Sequence, residues 1–304
     1  MFHIGQDGWL FLTGGSNDVV AQYGNSREVW ARLLAWRRLA LARAARAEGL
    51  GARYLHVVVP EKITIYDNKF AGLRVNVRRS PAWRLARLLS LTRAGRAILV
   101  DLVGPMRAGR DAADLYFRTD THWSFPGYFL AYREICRACG ATPRDDLALR
   151  PSHLCAQVMD IETKLPFPEP EPVMRHVLQR DAVREPGALV RVYEAAGRGH
   201  DLHVGAHVVF RNTSPQADPR RVVLFGSSCS GHVHGMLSGA LAETFREVHF
   251  VWSASIDWAY VEAVRPDLLL FEIAERFMAR VPTDDFSVEA FAAERIRALA
   301  QEGA

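Results

Sequence analysis

The chain has 304 residues, of which 49% are hydrophobic and 24% charged, with a formal net charge of +4 at pH 7. These values are typical of a globular protein and exclude a highly charged disordered chain. Of the 38 basic residues 35 are arginine, scattered among acidic residues. We therefore expect no nucleic-acid partner, although a diffuse attraction for an anionic substrate remains open.

The N-terminal segment Met1-Phe2-His3-Ile4-Gly5 lacks the basic and apolar regions of a signal peptide. No apolar run of the sequence reaches the ~18 residues that a bilayer span requires. We therefore expect a soluble chain, with two alternatives: a cytoplasmic protein, or a processed or truncated form of an exported one.

Strand and helix signals alternate in the first half of the chain. Asp7-Gly8 predicts a hairpin turn, and Asn25 followed by Glu28 predicts the N-cap of a long helix. The apolar patterns further predict strands at about 54–59 and 97–101, and helices at about 80–93 and 124–140.

The pattern is irregular at about 145–216. The proline-rich run from Leu165 to Pro172 excludes regular helix and central strand. Alternating stretches around Leu189–Tyr193 and His203–Phe210 indicate hairpins. We interpret these residues as an irregular or β insertion within a single domain that spans residues 1–304.

A regular pattern returns at residue 222. We predict strands at about 222–225, 248–252 and 268–273, and helices at about 230–245, 256–264 and 288–300. Strands that alternate with helices indicate an α/β fold, in which a mostly parallel sheet carries helices on both faces.

Asp120 and His122 are the first candidates for catalysis. They lie two positions apart between a strand and a helix, so in extended backbone both point to one face. A carboxylate that accepts a hydrogen bond from one imidazole nitrogen leaves the other nitrogen free as a base. A loop aspartate and histidine that only satisfy backbone groups would show the same pattern.

Ser228 supplies a candidate nucleophile. It follows a buried strand and Gly226, and it precedes a predicted helix. Ligands bind beyond the carboxyl ends of parallel strands, and a helix N-terminus offers N–H groups to an oxyanion. An ordinary N-cap serine would fit the same positions.

Other residues compete for these roles. Cys229 is intrinsically more nucleophilic than Ser228, and His232 or His234 could act as the base or bind a metal. Cys136 and Cys139 have CxxC spacing without a second CxxC, which favours two half-buried thiols over a zinc or redox site.

Three further residues are candidates for substrate binding. Arg118 lies near Asp120, and Glu275 with Arg276 ends the last predicted strand. Side chains at the carboxyl end of a strand reach the rim of a cleft in this class of fold. A surface ion pair is the alternative role for all three.

Together these blocks resemble the alginate-type polysaccharide O-acetyltransferases, the SGNH-hydrolase-like domains of the AlgJ and AlgX kind. The resemblance covers about Gly5 to Met278. Its most specific part is Asp120-Thr121-His122-Trp123, preceded by two further blocks and followed by a late Gly-x-Ser. The two earlier blocks are Gly5-Gln6-Asp7-Gly8-Trp9-Leu10-Phe11 and Val59-Pro60-Glu61-Lys62-Ile63-Thr64-Ile65-Tyr66.

The resemblance implies a flavodoxin-like SGNH fold in which the serine follows the Asp/His pair, the reverse of the order in ordinary SGNH hydrolases. It assigns the catalytic serine to Ser228, and the aspartate and histidine to Asp120 and His122. The chain departs from the family pattern at Ser227, where the Gly-Asp-Ser block has aspartate.

We therefore expect acetyl transfer to a polysaccharide or oligosaccharide acceptor through an acetyl-serine intermediate, without metal or other cofactor. The resemblance also implies an exported protein and an acyl donor, which a membrane acyl-transfer protein could deliver. An acetylesterase with the same triad, and a non-catalytic polysaccharide-binding or scaffold domain, are the alternatives.

Overall fold

The computed structural model describes residues 1–231 and 236–302. These residues contain eleven strands. In chain order the strands are β1 (Phe2–Ile4), β2 (Leu10–Leu12), β3 (Arg53–Val59), β4 (Leu99–Val100), β5 (Ser152–Gln157), β6 (Glu171–His176), β7 (Ala182–Pro186), β8 (His207–Asn212), β9 (Asp218–Gly226), β10 (Phe245–Trp252) and β11 (Leu268–Ala274).

Ten α-helices lie within the same residues. They are α1 (Arg27–Gly49), α2 (Lys62–Ile65), α3 (Pro81–Ser90), α4 (Arg93–Ile98), α5 (Val103–Gly109), α6 (Phe125–Cys139), α7 (Ala188–Ala195), α8 (Leu237–Thr244), α9 (Trp258–Val264) and α10 (Val288–Glu302). In the described part of the chain, no helix is both long enough and apolar enough to span a membrane.

Seven strands form the central sheet, in the order β4-β3-β11-β9-β10-β8-β7. The first five are parallel to their neighbours. Strands β8 and β7 continue the sheet antiparallel at one edge. All seven residues of β11 are buried, as expected for a strand with helices on both faces. The predicted α/β class with a mostly parallel sheet is confirmed.

The two faces of the sheet bury separate apolar cores. Val57 of β3 packs in one core and its neighbour Val58 in the other, because successive side chains of a strand point to opposite faces. Residues of α6 and α8 fill the first core, and residues of α1 and α3 fill the second. This arrangement leaves the carboxyl ends of β3, β11 and β9 next to one another at one edge of the sheet.

The N-terminal half follows the predictions with local shifts. Strands β1 and β2 pair antiparallel around Asp7-Gly8, as the turn signal predicts. The cap of α1 is Ser26, whose Oγ accepts from the Val29 amide at 3.3 Å, and not Asn25. The side-chain oxygen of Asn25 instead accepts a hydrogen bond from the indole of Trp30.

Residues 145–216 contain more regular structure than the sequence predicts. Strands β5 and β6 form a separate two-stranded sheet, whereas β7 and β8 extend the central one. The hairpin predicted at Leu189–Tyr193 is wrong, because these residues lie in α7. Leu189, Val190 and Tyr193 are its buried residues, a spacing that fits one helical face.

The helix predicted from Ser230 to Phe245 is shorter in the structure and begins at Leu237. The serines before it donate hydrogen bonds to Glu272, so they close a turn and do not cap a helix. Gly231 has a φ of 63°, in the left-handed region that glycine adopts without strain. Residues 232–235 lie outside the described residues.

Candidate active site

The loop between α5 and α6 places Asp120 against His122. Its ends are closed by a β-bridge between Tyr116 and Trp123 and by a 3.3 Å hydrogen bond from the Phe117 amide to the His122 carbonyl. Within the loop, Asp120 Oδ1 accepts from the His122 amide at 2.7 Å and bonds to His122 Nδ1 at 2.6 Å. The local sequence therefore produces the carboxylate–imidazole pair that its spacing predicts.

The electrostatics of this pair favour a charged carboxylate. Burial acts to raise the pKa of Asp120, but the hydrogen bonds and charge of His122 and the Asp160 amide outweigh it and lower the pKa to about 2. An ionised Asp120 accepts a hydrogen bond from Nδ1–H and leaves Nε2 as the basic nitrogen. His122 Nε2 is buried and has no hydrogen-bond partner within residues 1–231 and 236–302.

Lys62 holds the loop in place from beneath, a role that the sequence alone does not indicate. Its buried ammonium donates to the carbonyl oxygens of Phe117, Arg118 and Asp120 at 2.9, 2.7 and 2.7 Å. Burial lowers the pKa of Lys62 to about 7. An ammonium fits three converging carbonyls better than a planar guanidinium does, which accounts for a lysine at this position of an arginine-rich chain.

Asp160 connects the loop to the segment after β5. Its Oδ1 accepts from the Thr121 amide at 2.8 Å, and its Oδ2 accepts from the Thr121 hydroxyl. In return, the Asp160 amide donates to Asp120 Oδ2 at 3.2 Å. This residue lies in the irregular region 145–216, and no sequence pattern distinguishes it.

Asp120, His122 and Asp160 also place three possible metal-ligand atoms within 4.8 Å of one another. In the structure these side chains are already engaged, since Asp120 bonds to His122 and Asp160 accepts from Thr121. A cation would have to displace these bonds. The arrangement therefore fits an oriented imidazole better than a metal centre.

Ser228 lies in a turn that a buried carboxylate fixes to the sheet. Glu272 of β11 accepts from the Ser227 amide at 2.8 Å, the Ser227 hydroxyl at 2.9 Å and the Ser230 hydroxyl at 2.7 Å. A Cβ at Gly226 would lie 2.8 Å from Ser230 Oγ, so only glycine fits between strand and turn. The single acid in an otherwise apolar strand is the sequence signal for Glu272.

One hydrogen bond joins this turn to the loop of Asp120 and His122. The buried indole of Trp123 donates to the carbonyl oxygen of Cys229 at 3.0 Å. Trp123 directly follows His122, and Cys229 directly follows Ser228. The segments that carry the predicted base and the predicted nucleophile therefore contact each other, although they are far apart in sequence.

Arg118 lies at the surface beside the loop. Its side chain is exposed and lines a cleft of about 370 Å³ between the loop, the start of α6 and the β5–β6 hairpin. Its carbonyl oxygen accepts from Lys62 and from the Leu10 amide. The structure therefore leaves the guanidinium available to a ligand.

Glu275 and Arg276 do not lie at the rim of a cleft, where the sequence places them. The Glu275 carboxylate is buried and accepts from the Glu61 amide at 2.7 Å, the Thr64 hydroxyl at 2.7 Å and the Ala82 amide at 2.9 Å. Arg276 is also buried and pairs with the Glu61 carboxylate at 2.8 Å. Both side chains turn inward and fix the loops after β3, which is a structural role.

The other candidates for the nucleophile, the base and a metal or redox site are less well supported or are not described. Cys229 is buried, and burial raises the pKa of its thiol well above the usual range, which disfavours the nucleophilic thiolate. Cys136 and Cys139 are buried on α6, and burial raises the pKa of Cys136 to about 12. His232 and His234 lie outside the described residues.

The chain resembles known proteins over most of its length. A curated relative, "Probable alginate O-acetylase AlgJ" from Pseudomonas syringae pv. tomato (strain ATCC BAA-871 / DC3000), is 24% identical over 301 residues. This match covers 90% of the present chain and 68% of the relative.

Two solved structures share the fold. The O-acetyltransferase domain of Pseudomonas putida AlgJ matches with a TM-score of 0.58 and 17% identity, covering 96% of this chain and 98% of that one. Bacillus cereus PatB1, solved with a sulfonyl adduct, matches with a TM-score of 0.60 and 12% identity, covering 93% and 100%. The model of the SGNH hydrolase-like domain of acetyltransferase AlgX matches residues 2–257, so the chain belongs to this family of SGNH-hydrolase-like acetyltransferases.

Proposed function

We propose that this member of an acetyltransferase family transfers acetyl groups to hydroxyls of a polysaccharide through Ser228, His122 and Asp120. The observation that carries the proposal is the hydrogen bond between Trp123 and Cys229, which brings the turn of Ser228 against the loop of His122. The bond between Asp120 and Nδ1, and the absence of a partner for Nε2 among the described residues, support the role of His122 as the base.

The proposed reaction has two steps. In the first, His122 Nε2 takes the proton of Ser228 while Oγ attacks the carbonyl carbon of an acetyl ester or thioester. The bond from that carbon to the donor's oxygen or sulfur breaks, and the leaving group takes the proton from Nε2. Acetyl-Ser228 remains.

In the second step, a sugar hydroxyl gives its proton to Nε2 and attacks the acetyl carbonyl. The bond to Ser228 Oγ breaks, and Oγ takes the proton back, which restores the enzyme. Asp120 stabilises the imidazolium that forms in each step. We assign the Ser228 amide as one oxyanion donor, because it has no acceptor within the described ranges and belongs to the nucleophile itself.

The name of a relative supports the choice of acceptor. The curated relative is named as a probable alginate O-acetylase, so a polysaccharide is the acceptor that we propose for this chain. Because polysaccharides of this kind lie outside the cytoplasm, we also propose an exported protein, with a membrane acyl-transfer protein as the source of the acetyl group. Fractionation of cells that express the full-length gene would test the location.

The experiment that tests the mechanism is intact mass spectrometry after incubation with p-nitrophenyl acetate. Wild type should gain the mass of one acetyl group, whereas Ser228→Ala should gain none. Cys229→Ala is the matched control, because its adjacent thiol is buried, and this variant should still be acetylated. Acetylation of Ser228→Ala would overturn the assignment of the nucleophile.

A second measurement separates transfer from hydrolysis. When an oligosaccharide is added to the preformed acetyl-enzyme, a transferase should yield acetylated sugar, whereas an acetylesterase would yield only acetate. A protein that binds the oligosaccharide but never becomes acetylated would be the non-catalytic domain.

A further inference from the structure

The cleft beside the loop of His122 has no role in the mechanism above. It lies between that loop, the start of α6 and the β5–β6 hairpin, and its volume is about 370 Å³. Sites for small organic ligands commonly have volumes of about 300–1,000 Å³. The cleft is therefore large enough to hold part of a substrate.

One wall of the cleft is part of the loop that carries the predicted base. Phe117 lines it, and the Phe117 amide donates to the carbonyl of His122 at 3.3 Å. Because Tyr116 and Trp123 form an antiparallel bridge, the next pair, Phe117 and His122, is also opposite. Side chains of opposite residues project to the same face, so the imidazole of His122 lies on the face of the loop that carries the ring of Phe117.

The lining combines apolar surfaces with polar edges. Met174, on the outward face of β6, is 46% exposed, and Pro126 and Phe117 also line the cleft. Phe125 and His176 stack with ring centroids 3.6 Å apart. His176 Nδ1 is buried beneath this surface and has no hydrogen-bond partner in the described part of the chain, so the polar edges of the cleft are Arg118, Asp114 and Glu171. Flat apolar surfaces next to hydrogen-bonding groups suit the two faces and the hydroxyl edge of a pyranose ring.

The charges in the cleft argue against a polyanion. Asp114 and Glu171 contribute two carboxylates to the lining, against the single guanidinium of Arg118. Arg175 lies outside the lining, 5.7 Å from the ring of Phe117. If its charge is counted as well, the positive charges around the cleft only equal the two negative ones. A chain with one carboxylate on every sugar would meet no net positive charge here.

On the basis of the acetyltransferase function proposed above, we propose that this cleft binds the acceptor, and that the acceptor is a neutral pyranose chain. The sugar stacks between Phe117 and the outward face of β6, and Arg118 donates to its hydroxyls. A hydroxyl of the bound sugar then faces His122.

Binding is measured with the Ser228→Ala protein, which cannot turn over, by calorimetry with neutral gluco-, manno- and galacto-configured hexasaccharides. At least one of them should bind, and adding Phe117→Ala or Met174→Asp should weaken it by roughly tenfold or more, the scale of an aromatic or apolar anchor. Val183→Asp is the control, because Val183 is also an exposed apolar side chain of a strand but lies on β7, outside the lining. Its affinity should stay within about twofold.

The same variants, with Ser228 restored, are assayed for acylation by p-nitrophenyl acetate, which needs no acceptor. Sugar binding should fall by more than acylation does. Equal losses of both would mean that the loop of His122 has moved, and would overturn the cleft as a sugar site. Because binding is read without turnover and acylation without sugar, failure of the cleft and failure of the proposed chemistry are distinguishable.

Charge is tested with oligomannuronate of the same length. It should bind more weakly than the neutral hexasaccharide, and Asp114→Asn should strengthen its binding by a few fold without changing that of the neutral sugar. Tighter binding of the uronate to the unchanged cleft, or binding of no sugar at all, would contradict the inference.

Discussion

The indole nitrogen of Trp123 donates a 3.0 Å hydrogen bond to the carbonyl oxygen of Cys229, and both residues are buried. One residue before each of them lie His122 and Ser228. The bond therefore fixes the loop after α5 relative to the turn after β9. The proposed catalytic pair of His122 and Ser228 depends on contacts of this kind, because small displacements of reacting groups are costly.

Trp123→Phe should lower the rate of acyl-enzyme formation by roughly tenfold or more. Phenylalanine keeps most of the apolar contact but leaves the Cys229 carbonyl without its donor. The loss of a buried hydrogen bond should also lower the free energy of unfolding by about 1–3 kcal/mol. Urea denaturation and burst kinetics with p-nitrophenyl acetate measure the two effects.

Trp36→Phe is the control that separates a loss of stability from a change in the position of the loop of His122. The buried indole of Trp36 also donates to a backbone carbonyl, that of Met278, at 3.0 Å. This variant should lose a similar amount of stability and keep its acylation rate. Equal losses of rate in both variants would show that the bond from Trp123 has no special relation to catalysis.

Asp120→Asn should reduce acylation by as much as about 10⁴-fold, because an amide stabilises the wrong tautomer of His122. The same change should alter the dependence of stability on pH. The pKa of Asp120 is lowered to about 2 in the folded protein, from an ordinary value of 3.8. The ionised side chain therefore contributes roughly 2 kcal/mol above about pH 4, and this contribution is lost as the pH falls towards 2.

Urea denaturation of wild type and Asp120→Asn at pH 6 and pH 3 measures this contribution. The gap between the two proteins in unfolding free energy should be larger at pH 6. A gap that does not change with pH would mean that Asp120 is not held in its ionised form by His122.

Lys62→Met should destabilise the loop of His122, because three carbonyl oxygens lose their donor. We expect a loss of several kcal/mol in unfolding free energy and little acylation. Lys62→Arg should restore neither, since a planar guanidinium cannot direct three N–H groups at one converging set. Lys69→Met is the control, because Lys69 pairs with the exposed Asp7 and should cost less than about 1 kcal/mol.

The pH dependence of stability provides a second readout for Lys62. Burial lowers the pKa of Lys62 to about 7, from an ordinary value of 10.5. Between these values the unfolded chain binds the proton and the folded chain does not, so the unfolding free energy of wild type should rise with pH relative to Lys62→Met. A difference that falls with pH would show that the folded protein holds the proton more tightly than the unfolded chain.

The sequence was informative where the signal is local. Asp120 and His122 interact two positions apart, and the apolar runs of β3 and β11 predicted buried strands at the right places. The α/β class and the family followed from such local patterns. The sequence does not predict whether a side chain at the end of a strand points inward or outward, because its burial depends on which loops pack over that end. Glu275 is an example.

The side chains that hold the candidate site in place do so through contacts between distant parts of the sequence. Lys62 and Asp160 reach the loop from other parts of the chain, and Glu272 reaches the turn of Ser228 from β11. Nothing in the local pattern states which backbone groups these side chains meet. The local pattern predicts a helix start at the turn of Ser228, and this prediction is wrong for the same reason, because the serines of the turn bond to a distant carboxylate.

Glu272→Gln tests whether this carboxylate positions Ser228. The two oxygens of Glu272 accept from the amide and hydroxyl of Ser227 and from the hydroxyl of Ser230, whereas a glutamine presents one acceptor and an NH₂ group that faces these donors. Acylation by p-nitrophenyl acetate should fall roughly tenfold to a hundredfold, as expected for a misplaced nucleophile. Glu275→Gln, at a buried carboxylate that also accepts backbone amides, should lower stability to a similar degree and leave both acylation and the KM for sugar unchanged. If Glu275→Gln raised that KM while Glu272→Gln acylated normally, the two residues would have the reverse of the roles assigned here.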